Sequence, residues 1–430
     1  MSQVITFKEA FRYWLKLGFI SFGGPTGQIA MMHKDIVEKR RWIDEAHFLQ
    51  ALNFCMLLPG PEAQQLATYI GFLMHRAWGG IVAGVCFVLP SVFILWGLSW
   101  LYASFGSIPS VAALFYGLKP AVTAIVAEAV IRIGKKSLRN GFLAALAALA
   151  FVGIYFLHIP FPLIVLSAGI TGYIGGIYMP SRLASSSNNN QNSSIEPILR
   201  ESTLHMIPSW QRSIKVAALC LTLWFAPIAV LGAWKGWGHI FVEIGILFSK
   251  AAVVTFGGAY AVLSYISQQA VAHYGWLSPE QMMDGLGLAE TTPGPLIMVN
   301  QFVGYLAAFT HAVDMSPAIA GAIGGLLTTW VTFVPSFLMI FVGAPFIERI
   351  RGNVKLGAAL AAITASVVGV VLNLGVNFTY HTIFPDTGAF DWFALAVSVI
   401  AFIGMTRFKW GMMLVIAGSA VAGFIFKTIL

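Results

Sequence analysis

The chain has 430 residues, 58% hydrophobic and only 10% charged, with a mean hydropathy of +0.80. Soluble domains carry about 25% charged residues, so too few charges are present to cover a water-facing surface. A soluble enzyme, a disordered chain and a disulfide scaffold are excluded, and an all-α polytopic membrane protein is expected. The net charge of +8 does not point to nucleic acid, because Lys and Arg sit in short clusters between apolar segments, where cytoplasmic anchors belong.

Lys8, Glu9, Arg12 and Lys16 interrupt the uncharged core that a removable leader needs, so residues 1–20 are expected to stay in the mature protein. Apolar segments follow near 7–31, 46–75, 79–105, 111–133, 141–157 and 161–179. A polar stretch from Ser181 to about Arg212, containing SSSNNNQNSS, cannot bury a core and reads as a linker. Apolar segments resume near 214–234, 241–270, 280–310, 317–345, 354–377, 389–405 and 408–428. The expected domains are 1–180, a polar cytoplasmic linker at 181–213, and 214–430. Cys55, Cys86 and Cys220 lie inside apolar segments without metal-ligand or disulfide spacing and read as apolar fillers.

The two blocks repeat each other. An offset of 234 aligns residues 7–61 with 241–295 without a gap. It superimposes Glu9 on Glu243, Lys16 on Lys250, Phe22-Gly23-Gly24 on Phe256-Gly257-Gly258, Trp42 on Trp276, and Pro59-Gly60-Pro61 on Pro293-Gly294-Pro295. Further on, an offset of 245 brings Pro90-Ser91 onto Pro335-Ser336. Seven apolar segments separate equivalent points. If each crosses once, the number is odd and the second repeat is inverted, as in many secondary transporters.

Alternating crossings put 16 Lys and Arg on the N-terminal side and 6 on the other, which makes the N-terminal side cytoplasmic. The exception is the cluster Lys34, Lys39, Arg40 and Arg41. It joins the cytoplasmic side if the first two segments are re-entrant hairpins broken at Gly23-Gly24-Pro25 and Pro59-Gly60-Pro61. Non-helical backbone at membrane depth is tolerated where it is buried or lines a water-filled cavity, so the breaks are the expected site.

FGGP at 22–25, the basic run ending in Trp42, LPGP at 58–61, FGGA at 256–259, TPGP at 292–295, LPS at 89–91 and VPS at 334–336 together resemble the signature of the chromate ion transporter family. The resemblance covers nearly the whole chain and fits the long, two-domain form. It implies export of chromate across the bacterial inner membrane and chromate resistance, with sulfate or another oxyanion as the alternative substrate. Ala259 replaces the proline of GGP and Leu296 stands where Glu62 does, so the halves are not expected to contribute equally.

A tetrahedral dianion needs donors and positive potential without a trap too deep to leave. The N-terminus of a half-helix supplies both, and proline suits its first position because it lacks an N–H that would be orphaned there. Expected substrate-binding residues are therefore Gly23, Gly24, Pro25, Thr26, Gln28, Pro59, Gly60, Pro61 and Gln64, with Gly257, Gly258, Thr292, Pro293, Gly294 and Pro295 in the second half. The alternative, ordinary kinks and turns, stays open. Lys16 and Lys250 each lie seven residues before a GG break, about 10 Å of helix; they read as site cations or as snorkelling anchors. Lys119 sits mid-segment with no acid three or four residues away, and is a further substrate candidate. Glu62 and Glu290 flank the two PGP motifs on opposite sides and are proton-coupling candidates.

No nucleotide-binding or metal motif appears in the sequence, so no cofactor, no metal and no ATP drive are expected. The expected partners are the oxyanion and the bilayer, with homodimerisation left open. A membrane-embedded enzyme is the competing class; Asp35, Glu38, Asp44 and Glu45 could serve one, but they are interleaved with basic residues and read as a solvated face.

Overall fold

A computed structural model describes residues 5–178, 209–313, 315–346, 354–385 and 389–429. Most of the linker expected at 181–213 lies outside the described residues, as do Arg182, Arg200, Arg349 and Arg351. Every regular element among the described residues is helical.

The first half contains α1 (Phe7–Ile20), α2 (Gly24–His33), which continues as a π-helical turn (Lys34–Lys39), α3 (Glu45–Leu57), α4 (Glu62–Phe105), α5 (Pro109–Ser137), α6 (Gly141–Tyr155) and α7 (Phe161–Tyr178). Next comes α8 (Trp210–Lys235). The second half contains α9 (Ile240–Val254), α10 (Ala259–Ser267) with a π-helical turn (Gln268–His273), α11 (Pro279–Thr291), and a 3-10 turn (Leu296–Met298) leading into α12 (Val299–Thr310). It ends with α13 (Pro317–Gly343), α14 (Val354–Ile383), α15 (Trp392–Arg407) and α16 (Met412–Ile429). Among the described residues, seven helical spans are long and apolar enough to cross a membrane, including α5, α8, α14 and α16.

The local details repeat as well as the order. Trp42 N donates to Ile36 O at 2.8 Å, and Trp276 N to Ala270 O at 2.8 Å. Leu58 N donates to Cys55 O, and Thr292 N to Ala289 O, both at 3.2 Å. Asp44 caps α3 and Ser278 caps α11. Each pair is related by the 234 offset, although the residues mostly differ.

α1 and α2 form a hairpin. The guanidinium of Arg40, just after α2, lies 3.5 Å from Glu9 and over the ring of Tyr13, both early in α1. α3 and the first part of α4 form a second hairpin. Helical geometry in α4 breaks at His75 and at Arg76, which has φ +55°. The chain reverses there: a Cβ on Gly71 would meet Gly79 and Ala83, and one on Gly84 would meet Thr68. His75 Nε2 lies 3.0 Å from Ile5 O, so both hairpins have their feet together and their Gly/Pro tips at the far end.

The halves interlock. α5 packs on α15 and α16, while α14 packs on α6 and α7. Gly117 stands against Ser419 and Gly423, and Gly172 against Ala358 and Ala362; such small residues let helices approach without a hydrophobic drive. The largest fully buried side chains, including Trp14, Phe54, Phe72, Phe248 and Phe302, belong to the hairpins and their neighbours. Leu149, Leu166, Val230, Ile400 and Leu414 face outward instead, as a lipid-facing belt requires.

Candidate functional site

The four breaks meet tip to tip. Gly60 N donates to Thr255 O at 2.8 Å, and Gly294 N donates to Ser21 O at 2.8 Å. Under the 234 offset these are one bond made twice, each time joining a PGP tip of one half to a GG tip of the other. Glycine is needed at the donor position. Gly60 has φ +128° and Gly294 φ +106°, a region that side chains disfavour. A Cβ on Gly60 would also stand 2.8 Å from Ser336 Oγ, and one on Gly294 would collide with Ser91 Oγ.

Side chains satisfy the carbonyls of these tips. Buried Gln28 donates through Nε2 to Ser21 O at 3.1 Å and to Gly294 O at 2.6 Å. Ser91 Oγ donates to Pro293 O at 2.6 Å, and Gln65 Nε2 to Pro59 O at 2.7 Å. Gln64 donates instead to Thr68 in its own helix, at 3.0 Å. The donors at the tips are treated differently. The helices leaving the breaks begin at Gly23, Pro61, Gly258 and Pro295, and none has a side-chain cap. Thr6, Asp44, His239 and Ser278, at the helix starts away from the breaks, do cap their helices. Uncapped first-turn N–H groups are the donors that bind anions at helix N-termini.

The tips are not equally open. Gly23 and Thr26 are exposed, Gly24 and Pro25 half-buried, and Pro59 and Pro61 half-buried. A Cβ on Gly23, Gly24 or Gly258 would meet nothing within 4 Å. Thr292, Pro293, Gly294 and Pro295 are all buried, and Gly257 is backed by Val367. The start of α2 is thus the most accessible of the four. The buried Ser21 Oγ, one residue before that break region, has no hydrogen-bond partner.

Charged residues lie beside the tips and farther along the hairpins. Glu290 is buried and accepts from Tyr260 OH at 2.6 Å; the Arg132–Glu128 pair on α5, 3.2 Å apart, lies within its electrostatic reach. Glu62 is half-buried in the first turn of α4, with Lys136 in reach. Lys119 is half-buried, with Asp284 and Glu280 of α11 within electrostatic reach. Lys16 and Lys250 are exposed on equivalent faces of α1 and α9. Lys16 lines a groove in the first half.

Asp284 was not visible from sequence. It is 5% exposed, accepts from Tyr102 OH at 2.9 Å, and leaves Oδ1 without a partner. Nothing in MMDGLGLAE marks it, and its partners come from α4 and α5. Ser91 and Ser336 were visible as the serines of LPS and VPS, but not as neighbours of the opposite PGP. No group of three or more His, Cys, Asp or Glu side chains among the described residues could hold a metal ion.

Comparisons with known proteins bear on the whole arrangement. The chain is 27% identical over 421 residues to a chromate transport protein of Cupriavidus metallidurans, covering 98% of this chain and 93% of that one. It is 29% identical to a chromate transport protein of Pseudomonas aeruginosa, covering 98% and 92%. An uncharacterized transporter of Methanocaldococcus jannaschii is 27% identical, covering 96% and 93%. No solved structure matches. The chromate transporter family model matches residues 8–173 and again 242–424, which span both sets of tips, and the chain belongs to the chromate transporter family.

Proposed function

We propose that the chain is a secondary transporter, not an enzyme, that moves chromate outward across the bacterial inner membrane and so confers chromate resistance. The observation that carries this reading is the pair of offset-related bonds, Gly60–Thr255 and Gly294–Ser21. They gather four uncapped helix starts at one level, where backbone N–H groups and helix dipoles favour a dianion. The open start of α2, with Gly23, Gly24, Pro25 and Thr26, is the principal contact. Lys16, Lys250 and Lys119 supply positive potential from a distance, and Glu62 and Glu290 are placed to carry a coupling proton.

The membrane arrangement follows from the same tips. Hairpins of the two halves can meet tip to tip inside a bilayer only if they come in from opposite faces. Five crossings separate equivalent points: the second part of α4, then α5, α6, α7 and α8. An odd number inverts the second half. With both first-half hairpins re-entrant, Lys34, Lys39, Arg40 and Arg41 join the cytoplasmic side and strengthen the charge bias that places the N-terminus there. Residues 1–180 and 214–430 are then two inverted repeats joined by a cytoplasmic linker.

The membrane potential, negative inside, already favours this direction. Two negative charges leaving gain about 4.6 kcal/mol per 100 mV. Inverted vesicles carrying the protein should take up labelled chromate faster than vesicles without it, and faster still with a potential that is positive inside the vesicle. Uptake equal to that of empty vesicles rejects the reading. Sulfate added as a competitor in the same assay orders the two oxyanions.

A further inference from the structure

We propose that the groove between α1 and the π-helical turn after α2 is a loading site for a tetrahedral oxyanion, that it precedes the tips, and that it exists in the first half alone. This rests on the oxyanion-transport reading above. The groove has a volume of about 610 Å³ and is lined by Lys16, Lys34, Lys39, Arg40 and Asp35 over an apolar floor that includes Ile20 and Met31.

The charges do not cancel. Lys39 holds Asp35 at 2.9 Å, which neutralises the groove's one carboxylate. Arg40 reaches Glu9 at 3.5 Å and lies over Tyr13 and Trp42. Lys16 and Lys34 make no ion pair among the described residues, so two compact ammonium groups face the groove unmatched.

The second half is an internal control. Its π-helical turn, Gln268–His273, occupies the same six positions under the 234 offset, and the closing bonds recur: Arg40 N to Asp35 O at 3.0 Å and Tyr274 N to Gln269 O at 2.8 Å. The backbone therefore forms without the charges. Gln268, Gln269, His273 and Tyr274 replace Lys34, Asp35, Lys39 and Arg40. Ser264 and Tyr265, which replace Ala30 and Met31, are buried, and Ser264 Oγ donates to Val370 O of α14 at 3.0 Å. One hairpin keeps an open groove with four cations; its repeat keeps only Lys250 of the four, and Ser264 and Tyr265 close the floor there. Folding does not require the cations, and an anion does. A groove this wide holds its guest hydrated and loosely, which suits loading.

The test uses the full chain, reconstituted in phosphatidylcholine vesicles with the groove side facing the added chromate. For Lys34→Gln the apparent KM for chromate should rise roughly five- to tenfold at low ionic strength while kcat stays within about twofold, as for a charge that steers association. The rise should shrink at high salt, and Lys34→Arg should keep most of the wild-type KM. An unchanged KM, or a fall in kcat alone, overturns the proposal. A phospholipid headgroup could supply the same phosphate-like chemistry. If the Lys34→Gln effect appears only when phosphatidylglycerol is present, the groove is a lipid site and the proposal also falls. If the wild type carries no chromate, the transport reading fails by itself; equilibrium dialysis of the same proteins with labelled sulfate still decides the groove, because loss of binding in Lys34→Gln supports it and equal binding refutes it.

Discussion

At the scale of single residues, the tips depend on contacts that cross between the halves. Ser91 Oγ is buried and donates to Pro293 O at 2.6 Å. Ser91→Ala leaves that carbonyl without its donor in a place water does not reach. The cost should be about 1–3 kcal/mol, visible as a lower melting temperature of the purified protein; an unchanged melt would mean that another donor takes over. Asp284 poses a different question. Asn fits the same space and can still accept from Tyr102, so Asp284→Asn should keep the melting temperature and remove only the carboxylate. If the Asp284–Lys119 neighbourhood takes part in transport, flux should fall by at least about tenfold, the scale of losing a charged hydrogen-bonded partner. Wild-type flux would reduce Asp284 to a packing contact. The difference between Asp284 and Glu290 shows what the sequence could tell. Glu290 adjoins TPGP and was legible. Asp284 is given meaning by Tyr102, 182 residues away, and no local pattern encodes that distance.

At the scale of elements, glycine and proline made the breaks legible because their backbone constraints are local. The ends of α1, α3, α9 and α11 fall where FGG and PGP predict. The reversal inside α4 at His75 and Arg76 falls at the boundary expected between the apolar segments 46–75 and 79–105, and is fixed by the close approach of Gly71 to Gly79. One feature escaped. The two π-helical turns share one backbone but carry KDIVEK in one half and QQAVAH in the other; packing sets them, and composition leaves no trace. The uncapped helix starts give a prediction at this scale. Pro61 is half-buried at the start of α4, while Pro295 is fully buried. Pro61→Ala frees an N–H and loosens φ at an accessible tip, so flux should drop with little change in membrane insertion. Pro295→Ala acts in a closed tip and should show itself mainly in stability. Equal flux in wild type and Pro61→Ala, measured in vesicles matched for protein content, would make PGP a turn without a part in transport.

At the scale of the whole molecule, interlocked packing explains why one half cannot be read alone. α5 leans on α15 and α16, and α14 leans on α6 and α7, so each half completes the other's helix faces. The repeat was legible because 55 residues align without a gap; its partner contacts were not, because an offset relates equivalent residues and says nothing of which ones touch. The inverted arrangement has a direct test in Lys39 and His273, which are equivalent under the 234 offset and both exposed at hairpin feet. Cys55, Cys86 and Cys220 are buried, so the background reaction with thiol reagents should be low. In intact cells, a cysteine at Lys39 should react with membrane-permeant reagents and resist impermeant ones, since the proposed arrangement turns the first-half feet to the cytoplasm. A cysteine at His273 should react with both, since the same arrangement turns the second-half feet outward. Impermeant labelling at Lys39 would turn the first hairpins into plain spans. Protection of both positions would put the two sets of feet on one face, which the tip-to-tip bonds forbid, and would end the inverted-repeat reading.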